Sequence, residues 1–126
     1  MKIVALLSRI FLGLIFFVFG LNGFLHFMPM GPLPTGLAGQ FIEVLFKSHY
    51  FIFVSGIQVI GGALLLMNRY VPLGLVILGP VIVNILLFHL LMAPSGLPMA
   101  FIVGILWVIV AFQARRNLSG IFAERL

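Results

Sequence analysis

Val71-Pro72-Leu73-Gly74-Leu75-Val76-Ile77-Leu78-Gly79-Pro80-Val81-Ile82-Val83-Asn84-Ile85-Leu86-Leu87-Phe88-His89-Leu90-Leu91-Met92-Ala93 is a run of 23 residues without a single Asp, Glu, Lys or Arg. A helix needs about 20 apolar residues to cross the hydrocarbon layer of a bilayer, so this stretch reads as a membrane span. Pro72 suits its first turn, where the backbone N–H has no helical partner anyway. Working outward, three more runs have the same character, at about residues 3–27, 50–67 and 97–114. The breaks between them are turn-forming: Asn68-Arg69-Tyr70 before the quoted run, Pro94-Ser95-Gly96 after it, and the three prolines 29, 32 and 34 after the first run. Proline removes a backbone donor and fixes φ, so that last stretch breaks any helix.

Composition agrees. The chain of 126 residues is 63% hydrophobic and 7% charged, with no cysteine. Soluble domains average about 45–50% apolar and about 25% charged, which excludes a water-soluble globule and leaves no room for a separate soluble catalytic domain. The missing cysteines exclude disulfides, thiolate metal sites and a thiol relay run by this chain alone. The first run is far longer than the 7–15-residue apolar core of a signal peptide and reads as a retained span.

The fold expected is all-α: an integral membrane bundle of four helices, antiparallel because the connections are short. Orientation follows from Lys and Arg at the span ends. In a four-span layout Lys2, Arg9, Arg69, Arg115, Arg116 and Arg125 fall on one side and Lys47 alone on the other, which predicts both termini in the cytoplasm. The basic excess is thus a matter of topology and not of nucleic acid. Arg9, inside the first span, is within snorkelling reach of the headgroups. Residues 36–49 of the first outer loop form an amphipathic pattern, with Leu37, Phe41, Leu45 and Phe46 on one face and Gln40, Glu43 and Lys47 on another. This predicts an interfacial helix over the mouth of the bundle, with Glu43 and Lys47 as an i,i+4 pair. A plain surface helix that fills space is the alternative reading.

Helices in lipid associate by close packing and buried polar contacts. Gly13, Gly20 and Gly23 in the first span, Gly56, Gly61 and Gly62 in the second, and Gly96, Ala100 and Gly104 in the fourth allow close approach. Gly79-Pro80 kinks the third span and frees a carbonyl near Val76, which a polar side chain of a neighbouring span can satisfy.

The spans contain no Asp, Glu or Lys. Their polar set is Asn22, His26, Gln58, Asn84 and His89, together with the indole N–H of Trp107. At 1.5 Å per residue, Asn22 lies roughly 8 Å, Gln58 roughly 12 Å, Asn84 roughly 13 Å and His89 roughly 6 Å below the outer surface. His26 sits at the rim and Trp107 near mid-bilayer. Two readings compete. In one, the amides and histidines only hold helices together. In the other, all six residues line an outward-facing polar pocket for the head group of a small apolar molecule, with His26 and His89 as donors or proton carriers. Haem ligation by two histidines has no supporting ligand, no metal site is predicted, and His49 reads as an outer-interface residue. No serine has a carboxylate-backed histidine near it in sequence, so no catalytic residue is assigned.

With these positions placed, the sequence resembles the DoxX-like family of small four-span membrane proteins over nearly its whole length. The carriers are Arg9-Ile10-Phe11-Leu12-Gly13 and Phe17-Val18-Phe19-Gly20-Leu21-Asn22-Gly23 in the first span, and Gly56-Ile57-Gln58-Val59-Ile60-Gly61-Gly62-Ala63-Leu64-Leu65-Leu66 in the second. Where that family often has a Lys and a Glu, this chain has the neutral amides of Asn22 and Gln58. The resemblance implies a bacterial inner-membrane protein associated with redox systems, including quinone-linked oxidoreductases. The expected function is therefore a redox-associated accessory subunit, not catalytic on its own, that binds a quinone-like or other small apolar molecule. No tightly bound cofactor is predicted beyond a quinone. The expected partners are the bilayer and a redox protein, and self-association stays open. The alternative is a structural or partner-binding scaffold with no ligand.

Overall fold

In the computed structural model, which describes residues 2–28 and 31–124, every regular element is helical. The helices are α1 (Lys2–Leu25), α2 (Gly36–Lys47), α3 (Tyr50–Met67), α4 (Val71–Leu91), α5 (Leu97–Gln113) and α6 (Arg115–Leu118), with single 3-10 turns at Pro94–Gly96 and Ser119–Phe122. Helices α1, α3 and α4, and the segment Pro94–Gln113 that contains α5, are each long and apolar enough to cross a membrane. The chain is a multi-pass membrane protein. Arg125, counted above for orientation, lies outside the described residues, as do Pro29 and Met30 of the first loop.

Each long helix packs against two others: α1 and α4 both touch α3 and α5. The buried centre comprises Leu12 and Phe16 from α1, Leu65 from α3, Leu75, Leu78 and Ile82 from α4, and Val103 and Val110 from α5. Large apolar side chains cover the outside; Phe11, Phe53, Leu90 and Ile102 are each more than half exposed. A soluble monomer does not expose contiguous apolar surface on this scale, whereas lipid solvates it at no cost.

Glycine sets the tightest contact, between α1 and α3. A Cβ built on Gly62 would sit 2.5 Å from the Phe17 nitrogen and 2.8 Å from the Gly13 carbonyl oxygen. One on Gly20 would meet the Val59 nitrogen at 2.8 Å. Gly56 and Gly104 are different: the nearest atoms to their added carbons are at 3.9 Å and 3.7 Å, so neither position requires glycine for packing.

Pro80 lies inside α4. It has no N–H to offer the carbonyl one turn earlier and its ring crowds that turn. The carbonyl it frees, that of Val76, receives no side-chain hydrogen bond among the described residues; the bond from a neighbouring helix comes instead from the Trp107 indole N–H to the adjacent Leu75 carbonyl, at 2.9 Å. Trp107→Phe keeps the ring and removes this bond. We expect a loss of about 1 kcal/mol in resistance to denaturing detergent; unchanged stability would show that the carbonyl finds another partner.

Three helices end two residues before the sequence expectation, α2 among them, at Lys47 and not 49. Helix α1 stops at Leu25, short of residue 27, because His26 takes a left-handed conformation (φ 54°) while its N–H still bonds the Asn22 carbonyl at 2.9 Å. Helix α4 ends at Leu91 and not 93, its last carbonyl bonds shared at Phe88 by the N–H groups of Met92 and Ala93. The α3–α4 turn contains two more left-handed residues, Asn68 and Tyr70, both at φ 54°. A branched or aromatic side chain costs about 1–2 kcal/mol there, and glycine avoids that cost. Tyr70→Gly is expected to raise stability in detergent, and a drop would show that the ring makes a contact the backbone cost is offset by.

Candidate functional site

At the α2 end of the helices, α1, α2, α3, α4 and α5 surround a cavity of about 500 Å³, within the roughly 300–1,000 Å³ typical of small-molecule sites. Most of its wall is apolar, with Phe16 and Phe19 from α1, Leu45 and Phe46 from α2, Phe51 from α3 and Met99 from α5 among the contributors. Three polar residues line it, one from each of three helices: Asn22, Gln58 and His89. Helix α2 supplies one wall because its apolar face turns inward. Phe46 stacks on Phe51 at 4.6 Å and Phe41 on Phe88 at 5.5 Å between ring centres. On its exposed side Glu43 and Lys47 pair at 2.6 Å. That contact holds the Glu43 carboxyl below, and the Lys47 ammonium above, their ordinary values; so solvated a pair adds little to stability.

The polar atoms have defined hydrogen-bonding states. His89 Nδ1 lies 2.8 Å from the Ile85 carbonyl oxygen. A carbonyl only accepts, so Nδ1 carries the proton, and in the neutral ring Nε2 is left as an acceptor. Gly96 makes room for this edge of the ring, since an added Cβ there would stand 2.5 Å from Nε2. Phe88 meets the ring edge-on at 5.1 Å. The Asn22 side-chain oxygen accepts the Met28 N–H at 2.7 Å, which folds the chain back over the end of α1; its NH₂ donates to no group among the described residues. Gln58 is half-buried and makes no side-chain hydrogen bond among the described residues. Cavity chemistry is thus one acceptor, one donor pair and one amide that offers both, in apolar surroundings.

The other three residues expected in the pocket lie elsewhere. His26 is exposed beyond the end of α1, and its left-handed backbone carries the side chain off the face it would have shared with Asn22. Asn84 is exposed on the outside of α4, where its NH₂ donates to the Pro80 carbonyl of its own helix at 2.9 Å. Trp107 is engaged with Leu75, as described. Arg9, read as reaching to the headgroups, is half-buried and donates through Nη1 to the Leu65 carbonyl at the end of α3. No group of three His, Cys, Asp or Glu side chains able to hold a metal occurs among the described residues. The aromatic and Met wall was not legible in the sequence, because its members are drawn from five helices and show no common periodicity.

No protein-family model matches the chain, and no solved structure matches it. The uncharacterized protein YwoB of Bacillus subtilis (strain 168) is 30% identical to it over 123 residues, which cover 92% of this chain and 80% of the relative. At that identity and extent, the chain belongs to the family of YwoB.

Proposed function

We propose that the protein binds a small apolar molecule with a polar head, of quinone-like size and chemistry, in the cavity between Asn22, Gln58 and His89. The observation that carries this reading is an apolar void of about 500 Å³ into which three helices each bring one uncharged polar side chain with spare hydrogen-bonding capacity. A carbonyl oxygen on the ligand accepts from the Asn22 or Gln58 NH₂, and a hydroxyl donates to His89 Nε2. The site thus accommodates both a quinone and its reduced form. Apolar rings and tails are solvated by the Phe and Met wall.

In this reading the helices form an antiparallel bundle in a bacterial inner membrane, both termini cytoplasmic, with α2 in the outer interface as the cover of the site. The placement of Lys2, Arg9, Arg69, Arg115 and Arg116 against Lys47 supports the orientation. The amphipathic character of α2, with Glu43 and Lys47 outward, supports its interfacial position. The role is that of an accessory subunit of a membrane redox system, in keeping with the resemblance to DoxX-like proteins, and not that of an enzyme alone.

Binding of a short-chain quinone to the purified protein in nanodiscs, read by calorimetry, tests the reading. Gln58→Leu with His89→Leu is expected to weaken binding at least tenfold, about 1.4 kcal/mol, with the helix content unchanged. His26→Leu, outside the cavity, is expected to leave it unchanged. Equal binding by all three proteins, or none by the wild type, would favour a scaffold whose amides serve only to pack helices.

A further inference from the structure

The opposite end of the helices holds a second cavity, of about 430 Å³, lined among others by Lys2 and Arg9 of α1, Asn68 after α3, Pro72 at the start of α4, Gln113 of α5 and Asn117 of α6. Its chemistry is unlike that of the first. Two cations and three amides face it, and no carboxylate does among the described residues. The chain has only two acidic residues: Glu43 is paired with Lys47 on α2 at the far end, and Glu124 is not part of this lining. The positive charge here is therefore not neutralised by the protein's own lining.

Two further features add donors at the same place, where the ends of α3 and α5 also bring their partly negative carbonyl groups. Helix α4 begins at this wall, with Val71 and Pro72 both lining the cavity. The first N–H to find a partner there is that of Gly74, bonded to the Tyr70 carbonyl at 3.0 Å. The N–H groups of the first turn have no helical acceptor, and the helix dipole is positive there. Arg9, for its part, is held in position by the bond from Nη1 to the Leu65 carbonyl. A guanidinium has five N–H groups in a planar fork, so the remainder stay available. A held guanidinium, an ammonium, three amides and a helix start line one void, with no carboxylate among the described lining residues to offset the two cations.

We propose that this cavity binds a phosphate group. Phosphate matches the set in charge, in its several acceptor oxygens and in its preference for Arg and helix N-termini. The group is supplied either by an anionic phospholipid whose tails lie along α1 and α5, or by a soluble phosphorylated compound. Neither source depends on the ligand proposed for the other cavity.

The test uses the full chain in nanodiscs. With phosphatidylglycerol present, native mass spectrometry is expected to show one lipid retained per chain in preference to phosphatidylcholine, which identifies the lipid source. In phosphatidylcholine alone, saturable binding of inorganic phosphate seen by ³¹P NMR identifies the soluble source. Lys2→Gln with Asn117→Leu is expected to weaken whichever is bound at least tenfold. Gln113→Leu, which changes no charge, is a second variant with the same expected direction. Arg116→Gln removes one charge outside the cavity and is expected to change binding less than twofold. The proposal is overturned if neither phosphatidylglycerol nor phosphate binds above the phosphatidylcholine background. It is equally overturned if Arg116→Gln weakens binding as much as the cavity variants do, since a diffuse surface charge would then suffice.

Discussion

Gly62→Val is expected to separate α1 from α3 and to lower the stability of the folded protein by about 3 kcal/mol. The first added carbon alone would overlap the Phe17 nitrogen and the Gly13 carbonyl, and both belong to backbone that cannot rotate away. The two helices must then move apart, and the close contact between them is lost along its length. Val59 and Ser55, which pack against Gly20, would lose contact in the same displacement. Unfolding by denaturing detergent, followed by circular dichroism, measures the loss. Gly56→Ala is the matched control: its new methyl reaches no atom closer than 3.9 Å, and alanine is the better helix former. If both variants unfold alike, the α1–α3 approach is not what holds this pair of helices.

Arg9→Leu is the second large effect expected, at about 1.5–3 kcal/mol. Leucine inserts into a bilayer more readily than arginine, so from hydropathy alone the change should be harmless or favourable. The structure predicts the opposite sign for the folded state. The Leu65 carbonyl is among the last four of α3, which have no partner within the helix. Arg9 satisfies it and places positive charge at the negative end of the helix dipole. What remains after substitution is the long bond from the Asn68 N–H, at 3.3 Å. Arg9→Lys retains the charge without the fork and is expected to keep part of the stability. A leucine variant as stable as the wild type would show that the α3 end is satisfied by water or headgroups.

The spans were legible because length and continuous apolarity are one-dimensional properties, and a charge-free run of this kind has few other uses. The ends were less so. His26 lies in an apolar context up to Phe27, and nothing nearby in sequence announces that its backbone turns left-handed; the prolines that follow are the only hint. For the site, depth along a span was readable and direction around the helix was not. Asn84 and His89 are five residues apart, about 140° around the helix, so at most one of them faces a given cavity, and it is His89. Asn84 is then satisfied locally by the Pro80 carbonyl, one turn back in its own helix. The acceptor of Arg9 was hidden for a related reason: snorkelling is the general expectation, and only the three-dimensional end of α3 shows the Leu65 carbonyl beside it.

Trp107 is the one tryptophan in the chain, and its indole is bonded across two helices to Leu75. The protein therefore carries a built-in fluorophore whose emission wavelength responds to water and polar groups reaching the contact between α4 and α5. Because that indole lies outside both cavities, emission that stays constant on ligand addition but shifts red on denaturation distinguishes occupancy from loss of fold in a single unlabelled sample.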